Sequence, residues 1–500
     1  MKNIKDKLSD VFPGDVYKGI VKITRKVKPG PTILVVTDVT KSIDAVTKDT
    51  QFDVGDVVQL EGSVSERAGK LQIEIQTIRK SEKNFDEVID EQSKPFDKPL
   101  SITSDRMSQL RSQFIEVAHI IRKAILNNQP ILIRHHADAD GIMSGMAIEK
   151  ACRLYMEQIG LEPHYHLFRS PSRAPFYEVS DMFKDIGFTK KVLESHDQQK
   201  PLILVVDNGS TPEDVFAMKS LKSMGFDIVV IDHHNPVVLE NGVTAVCPYL
   251  KYHINPYRNG LDSKTSAGML CYEVARLIHN SFDAPLMPAI AAIGDRCDIP
   301  ETDEYLAVAG KSREEIQKMV VAIDFIAYNL KFDSGAGVYD EVFANNGFVD
   351  MINEKVREGV DTQLQSTLPY LRTQELHGII FSFIDLEKYT LRFTYPTPGK
   401  VIGMIHDKVA LGKEQSPVLS LGFLSDMVII RATQPVLPVA TIIKNLQKDL
   451  PEANVDGGGH ECAGTIKFVS AHQSAILQHI KQQIRSLKRG EDDETYSEAN

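Results

Sequence analysis

Three apolar runs that each end on carboxylates constrain the fold of this chain more than any other feature. "ILIRHHADADG" (131–141), "LILVVDNGS" (202–210) and "DIVVIDHHNP" (227–236) pass from leucine and β-branched side chains directly into aspartate and histidine. Continuous apolar runs of this length are what parallel strands look like when both faces of their sheet are covered. Strands predicted at 131–134, 202–206 and 227–231 alternate with helices predicted at about 144–158 and 213–223. The expected architecture is therefore an α/β domain with a parallel sheet, whose ligands sit at the carboxyl ends of the strands.

A fourth apolar run, "MPAIAAIGDRCDIP" (287–300), stops at Gly294 and Asp295. Four acid-bearing ends in one domain are expected to converge on one crevice. Carboxylates gathered there raise one another's pKa unless cations neutralise them. Aspartates mixed with imidazoles and no cysteine favour Mn²⁺ or Mg²⁺ over structural zinc, and the imidazoles tilt the choice toward Mn²⁺. Two such ions about 3.5–4 Å apart clamp a phosphoryl group and lower the pKa of a water between them.

The 500 residues are 42% hydrophobic, enough for several cores rather than one. The five cysteines show no C-x-x-C pair, which suits a reducing compartment, and "MKNIKDKLSD" is too charged for a signal peptide. A soluble, cytoplasmic protein with no membrane association is expected. The net charge of −11 argues against nucleic acid as a partner, so local charge becomes the test. Lys18, Lys22, Arg25, Lys26 and Lys28 follow one another with no acid among them.

That basic run opens a stretch of short alternating strands over residues 12–80, punctuated by Pro29-Gly30, Gly55-Asp56 and Ala68-Gly69. Five strands in so short a segment suit a small closed barrel, and their order resembles an OB-fold, a scaffold that binds single strands or docks proteins. Phe12, Tyr17 and Phe52 are its only candidates for stacking on bases. Residues 81–99 read as an acidic linker, and a helical repeat from Met107 to Ile125 follows. Beyond residue 340 a helical stretch precedes strands in "HGIIFSFIDL", "SPVLSLGFLSDMVIIRAT" and "GTIKFVS". The tail "EDDETYSEAN" is expected to be disordered.

Taken in order, "HHADADG", "DNGS", "DHH" and "GD" resemble the four motifs of the DHH phosphoesterase superfamily. "GGGHECAG" (457–464) resembles the glycine-histidine motif of the DHH-associated C-terminal domain. With the barrel in front, the chain is similar to archaeal RecJ-like single-strand exonucleases. The resemblance implies an OB-like domain over 1–82, a linker and helix over 83–128, and a parallel-sheet DHH catalytic domain over 129–335. A connecting helix over 336–372, an α/β DHH-associated domain over 373–488 and the tail 489–500 complete the chain.

The same resemblance implies that His136 and Asp138 hold one metal, Asp140, His233 and Asp295 the other, and that Asp207 bridges both. His234 would then contact the bridging water or a phosphate oxygen, acting in catalysis with Asp207. His135 stays open between ligand and neighbour. Arg431, Gly458, Gly459 and His460 would bind substrate phosphate, with Gly457 beside them and Arg258 as a further contact. The function implied is a manganese-dependent exonuclease, also supported by magnesium, that removes mononucleotides from single-stranded DNA or RNA in replication or repair, beside a protein partner. The alternatives are a phosphodiesterase of short or cyclic oligonucleotides and a catalytically inactive subunit of a replication or repair assembly.

Overall fold

The computed structural model describes residues 3–487 apart from 29, 49, 50, 240, 241, 332, 336, 392, 393, 414 and 461. Two compact units divide the chain, residues 1–349 and 350–500. The acidic tail expected to be disordered lies outside the described residues.

The first unit begins with a two-residue strand, β1 (Ile4–Lys5), and a barrel of β2 (Val16–Val27), β3 (Thr32–Thr37), β4 (Ser42–Thr47), β5 (Val57–Arg67) and β6 (Lys70–Lys80). The order β2-β3-β4-β6-β5 closes on itself because β5 also pairs with β2. Closure leaves the five strands no open edge. Alternate residues, among them Val21, Ile23, Leu34, Val36, Leu60 and Ile73, fill the interior. The acidic stretch that follows is more than a linker: Phe85–Gln92 forms a helix with Phe85 and Ile89 buried.

The central sheet has the order β11-β10-β9-β7-β8, with every pair parallel. Its strands are β7 (Ile131–His136), β8 (Leu167–Ser172), β9 (Leu202–Val206), β10 (Asp227–Ile231) and β11 (Tyr252–Ile254). From β7 the chain continues to β8 on one side and to β9 on the other, so the order reverses between β7 and β9. Such a switch point opens a crevice at the carboxyl ends. Helices Val179–Phe188 and Val215–Ser223 bury Met182, Ala217, Met218 and Leu221 in one apolar cluster with β9 and β10. Helices Ala139–Gln158, Ala267–Ile278 and Leu286–Gly294 pack together elsewhere in the unit.

The second unit holds a mixed sheet of β12 (Arg372–Leu376), β13 (Ile379–Asp385), β14 (Val418–Phe423), β15 (Met427–Ala432), β16 (Asp456–His460) and β17 (Ala463–Lys467), in the order β12-β13-β14-β15-β17-β16. Helices Val439–Asp449 and Gln473–Ser486 bury Ile442, Leu446, Ile476 and Ile480 on one core; helix Pro398–Ala410 buries Ile402 and Ile405 on another. Among the described residues no helix is long and apolar enough to cross a membrane.

Candidate metal centre

The end of β7 turns into helix Ala139–Gln158 with almost no loop between them. Asp138 is the N-cap, its Oδ1 accepting from Gly141 N at 3.0 Å. Its other oxygen faces His136 Nδ1 at 2.8 Å. Gly141 lets the helix start lie against the strand end: a Cβ there would meet the His136 carbonyl and sit 2.9 Å from Asp207 Oδ2. Asp140, fully buried, accepts Ala267 N at 2.9 Å and Gly268 N at 2.6 Å, so the first amides of a second helix hold it.

β9 ends one residue before Asp207, whose backbone is left-handed at φ +56°. Because a side chain in this conformation costs about 1–2 kcal/mol, the surroundings must hold it there. Both its carboxylate oxygens are buried, and neither accepts a hydrogen bond among the described residues. Instead they are approached by three imidazoles, His233 Nε2 at 3.3 Å, His136 Nδ1 at 3.7 Å and His234 Nδ1 at 3.9 Å.

After β10, His233 and His234 are oriented by different partners. His233 Nδ1 lies 2.7 Å from the Ser263 carbonyl, which fixes the proton on that nitrogen and directs Nε2 at Asp295 (3.0 Å), Asp207 (3.3 Å) and Asp140 (3.6 Å). An imidazole whose outer nitrogen is anchored on a carbonyl while the inner one faces carboxylates has the orientation of a metal ligand. His234 Nδ1 sits 2.7 Å from Asp232 Oδ1, and Asp232 also accepts the amides of His233, His234 and Ser210.

Three groups of side chains offer ligand atoms within 4.8 Å of one another: His136, Asp138 and Asp207; Asp207, His233 and His234; Asp140, His233 and Asp295. Asp207 and His233 are each shared by two groups. The electrostatics fit a cation. Burial, then the charges of Asp207 and Asp295, push the Asp140 carboxyl well above its usual range; burial, then Asp138, raises Asp207. Burial alone would lower His136 and His233, yet their carboxylate neighbours raise both well above an ordinary imidazole. Divalent ions would replace those protons, with the Asp207 oxygens, which accept no hydrogen bond among the described residues, as the acceptors left open for them.

Thus His136, Asp138, Asp140, Asp207, His233, His234 and Asp295, all singled out from sequence, are brought together. His135 is not among them. It is fully buried on the other face of β7, with Nδ1 2.6 Å from the His136 carbonyl and Nε2 3.0 Å from Arg169 Nη1. Arg258, expected as a phosphate contact, instead donates to the backbone carbonyls of Gly242 and His253. In the second unit, Arg431 donates to the Ile430 carbonyl at 2.8 Å. Gly457, Gly458 and Gly459 lie in edge strand β16 rather than in a loop, paired with Ile466, Thr465 and Gly464. The side chain of His460 lies outside the described residues.

Two residues were seen in the sequence without a role. Asp232 ends its apolar run directly before the paired histidines, and the structure shows it orienting His234. Asn208 stands in the run "DNGS"; buried beside Asp207, it has no hydrogen-bond partner for either amide atom among the described residues.

The barrel also departs from expectation. Lys22 bonds Asp86 at 2.7 Å and Asn127 at 3.1 Å, Arg25 donates to the His196 carbonyl at 3.0 Å, and Lys26 pairs with Asp53 at 2.6 Å. Lys18 pairs with Glu61 at 2.9 Å. Tyr17 and Phe52 are buried, leaving Phe12 as the exposed member of the three aromatics. Four of the five cations are therefore engaged within the barrel or against the remainder of its own unit, while Lys28 stays exposed.

A parallel sheet whose switch point gathers aspartates and imidazoles into clusters that could hold a metal ion defines the class of this fold and site. The signature of the DHH family, N-terminal domain, matches residues 130–293. An uncharacterized protein of Methanocaldococcus jannaschii, MJ1198, is 35% identical over 511 residues, spanning 92% of this chain and 67% of its own length. A solved structure described as the DHH domain of PF0399, a member of a family of ribosomal proteins, is 36% identical, covers 81% of this chain and 98% of that one, and superposes with a TM-score of 0.78. RecJ from Thermus thermophilus, solved in complex with Mn²⁺, is 16% identical, with 78% of this chain and 56% of that one covered at a TM-score of 0.48. The chain belongs to the DHH family, and that membership suggests a metal-dependent hydrolase.

Proposed function

We propose that the chain is a metal-dependent phosphodiesterase that removes mononucleotides from an end of single-stranded DNA or RNA. The observation that carries this reading is Asp207, shared by two ligand groups and with no hydrogen bond to either carboxylate oxygen among the described residues. In this reading His136 and Asp138 hold one ion, Asp140, His233 and Asp295 the other, and Asp207 touches both. Mn²⁺, or Mg²⁺ in its place, would supply Lewis acidity for the phosphoryl oxygens and a lowered pKa for the attacking water. His234, kept in one orientation by Asp232, would hydrogen-bond that water or a phosphate oxygen. Asp138 and Asp140 are kept in place by backbone amides, so the ligands are preorganised rather than gathered by the ion. In the second unit, Arg431 with the Gly458, Gly459 and His460 strand would grip substrate phosphate; a replication or repair protein would be the partner.

Hydrolysis of short oligonucleotides is the second reading, favoured by the internal pairing of the barrel's cations and the burial of Tyr17 and Phe52. One digestion separates the readings. A twelve-nucleotide strand and a dinucleotide, labelled at either end, are incubated with Mn²⁺ and then with EDTA. A mononucleotide ladder from one label supports the exonuclease; cleavage of the dinucleotide alone selects the second reading. Full activity in EDTA after exhaustive dialysis removes both.

A further inference from the structure

Beside edge strand β8, on the far side of β7 from β9, the first unit carries an open cleft of about 990 Å³. None of the residues in the three ligand groups lines it. Seven arginine and lysine side chains line it against three carboxylates, with Asp181 behind Arg134 and Lys184 as a fourth, an excess of three positive charges in a chain whose net charge is −11. The inner cations have acidic partners: Arg134 pairs with Asp185, Arg169 with Glu149 at 2.6 Å and Lys150 with Asp340 at 2.5 Å. Arg153 shares Glu149 at a longer 3.4 Å, and Lys184 pairs with Asp181 at 3.0 Å while its side chain stays 62% exposed. Lys331 completes this wetter set.

Cations that outnumber the carboxylates of a concave site attract a multiply charged anion. The wall between them is aromatic: Phe168 of β8 and Phe188 of helix Val179–Phe188 meet edge to face, centroids 4.7 Å apart, and both are partly exposed. An acidic peptide would use the cations alone, whereas a nucleotide would use both, since every base has a π-face that stacks on such rings. The volume lies at the upper end of the about 300–1,000 Å³ usual for small-molecule sites.

We propose that this cleft is a second, non-catalytic site that binds a nucleotide, free or as part of a strand, with its phosphate among Arg153, Lys184 and Lys331 and its base against Phe168 and Phe188. The site goes beyond the proposed hydrolysis and does not depend on it. It also touches the strand that carries His136, because Arg169 reaches His135, which in turn bonds the His136 carbonyl.

The test is photo-crosslinking of the full chain with 8-azidoadenosine 5′-monophosphate in EDTA, followed by peptide mapping. Label is expected on peptides containing Leu167–Ser172 or Val179–Phe188, reduced at least about tenfold in K184E/K331E and in Arg153→Glu, with unchanged circular dichroism and melting. Competition by 5′-AMP at lower concentration than an eight-nucleotide strand assigns a free nucleotide, and the reverse order assigns a strand; either supports the site. Equal labelling of the variants overturns it, as does label confined to peptides carrying Asp138, Asp207 or His233. Protection by polyglutamate equal to that by 5′-AMP also overturns it, in favour of an acidic protein segment. A chain that labels in the cleft yet cuts no strand keeps this inference and loses the proposed hydrolysis.

Discussion

At Asp207 the backbone is held in a left-handed conformation, and neither carboxylate oxygen accepts a hydrogen bond among the described residues, an arrangement that suits a metal ligand. Asp207→Ala is expected to lower kcat by at least about 10³-fold, roughly 4 kcal/mol, with folding intact; a variant within tenfold of the parent would remove it from the chemistry. Asp232 acts one step back, through His234. Asp232→Ala should cost about 10–100-fold in activity, as orienting partners of ligands do, and steady-state kinetics with measured Mn²⁺ content would separate lost metal from lost orientation. His253 offers a pH test. Burial, then the charge of Arg258, lowers its pKa to about 3. The unfolded imidazole takes up its proton near pH 6.5, the folded one only near 3, so His253 makes stability fall as pH drops between those values and has no effect above them. Melting curves from pH 7 to 4 should show a shallower acid loss in His253→Gln; an unchanged slope would contradict the assignment.

Among the elements, the seam between the barrel and the rest of its unit converts a sequence signal into something else. Asn128 donates to Thr24 Oγ1 at 2.7 Å and approaches Ser42 Oγ at 3.2 Å, both buried. Asn128→Ala should destabilise the unit by about 1–3 kcal/mol, read by chemical denaturation, because the buried Ser42 hydroxyl loses its acceptor and Thr24 Oγ1, which keeps its bond to the Val35 carbonyl, loses a donor. Lys22→Ala should leave the salt dependence of strand binding unchanged, since its ammonium is already held by Asp86 and Asn127. A log–log salt slope reduced by about one would instead return Lys22 to the set of phosphate contacts. The edge strand β8 shows the opposite case, an element without a signal: "LFRSPS" carries arginine, serines and a proline because one side of it lies open to the cleft.

For the whole molecule, the gathered carboxylates are a burden on the metal-free fold that ions should relieve. Mn²⁺ at about 100 times its Kd should stabilise the first unit by roughly 2.7 kcal/mol for each site filled, and differential scanning calorimetry should show the upward shift. Asp207→Ala should melt higher than the parent without metal and gain less from Mn²⁺. Identical melting of both proteins with and without Mn²⁺ would mean that the cluster holds no ion.

Three of the five central strands, β7, β9 and β10, and the acid-bearing ends beyond them were legible in the sequence for one physical reason, whereas the division of those residues between two ions came only from the family resemblance. A strand buried on both faces must be continuously apolar, so the abrupt change to aspartate and histidine marks both its end and the crevice beyond it. The runs ending at His136, Asp207 and Asp232 carried that signal without any partner being known, and the fourth run, before Asp295, is a buried helix whose apolar stretch ends at the same crevice. The tertiary structure decided what depends on residues distant in sequence. His135 and His136 are adjacent, yet the alternation of a strand sends one toward Arg169 and the other toward Asp138 and Asp207. Lys22 and Arg25 read as a binding face because charge alone says nothing of what lies opposite, and only folding placed Asp86, Asn127 and the His196 carbonyl there. The sheet order, which sets the crevice between β7 and β9 and leaves β8 as an edge, follows from packing of the whole first unit, which no local run of residues encodes.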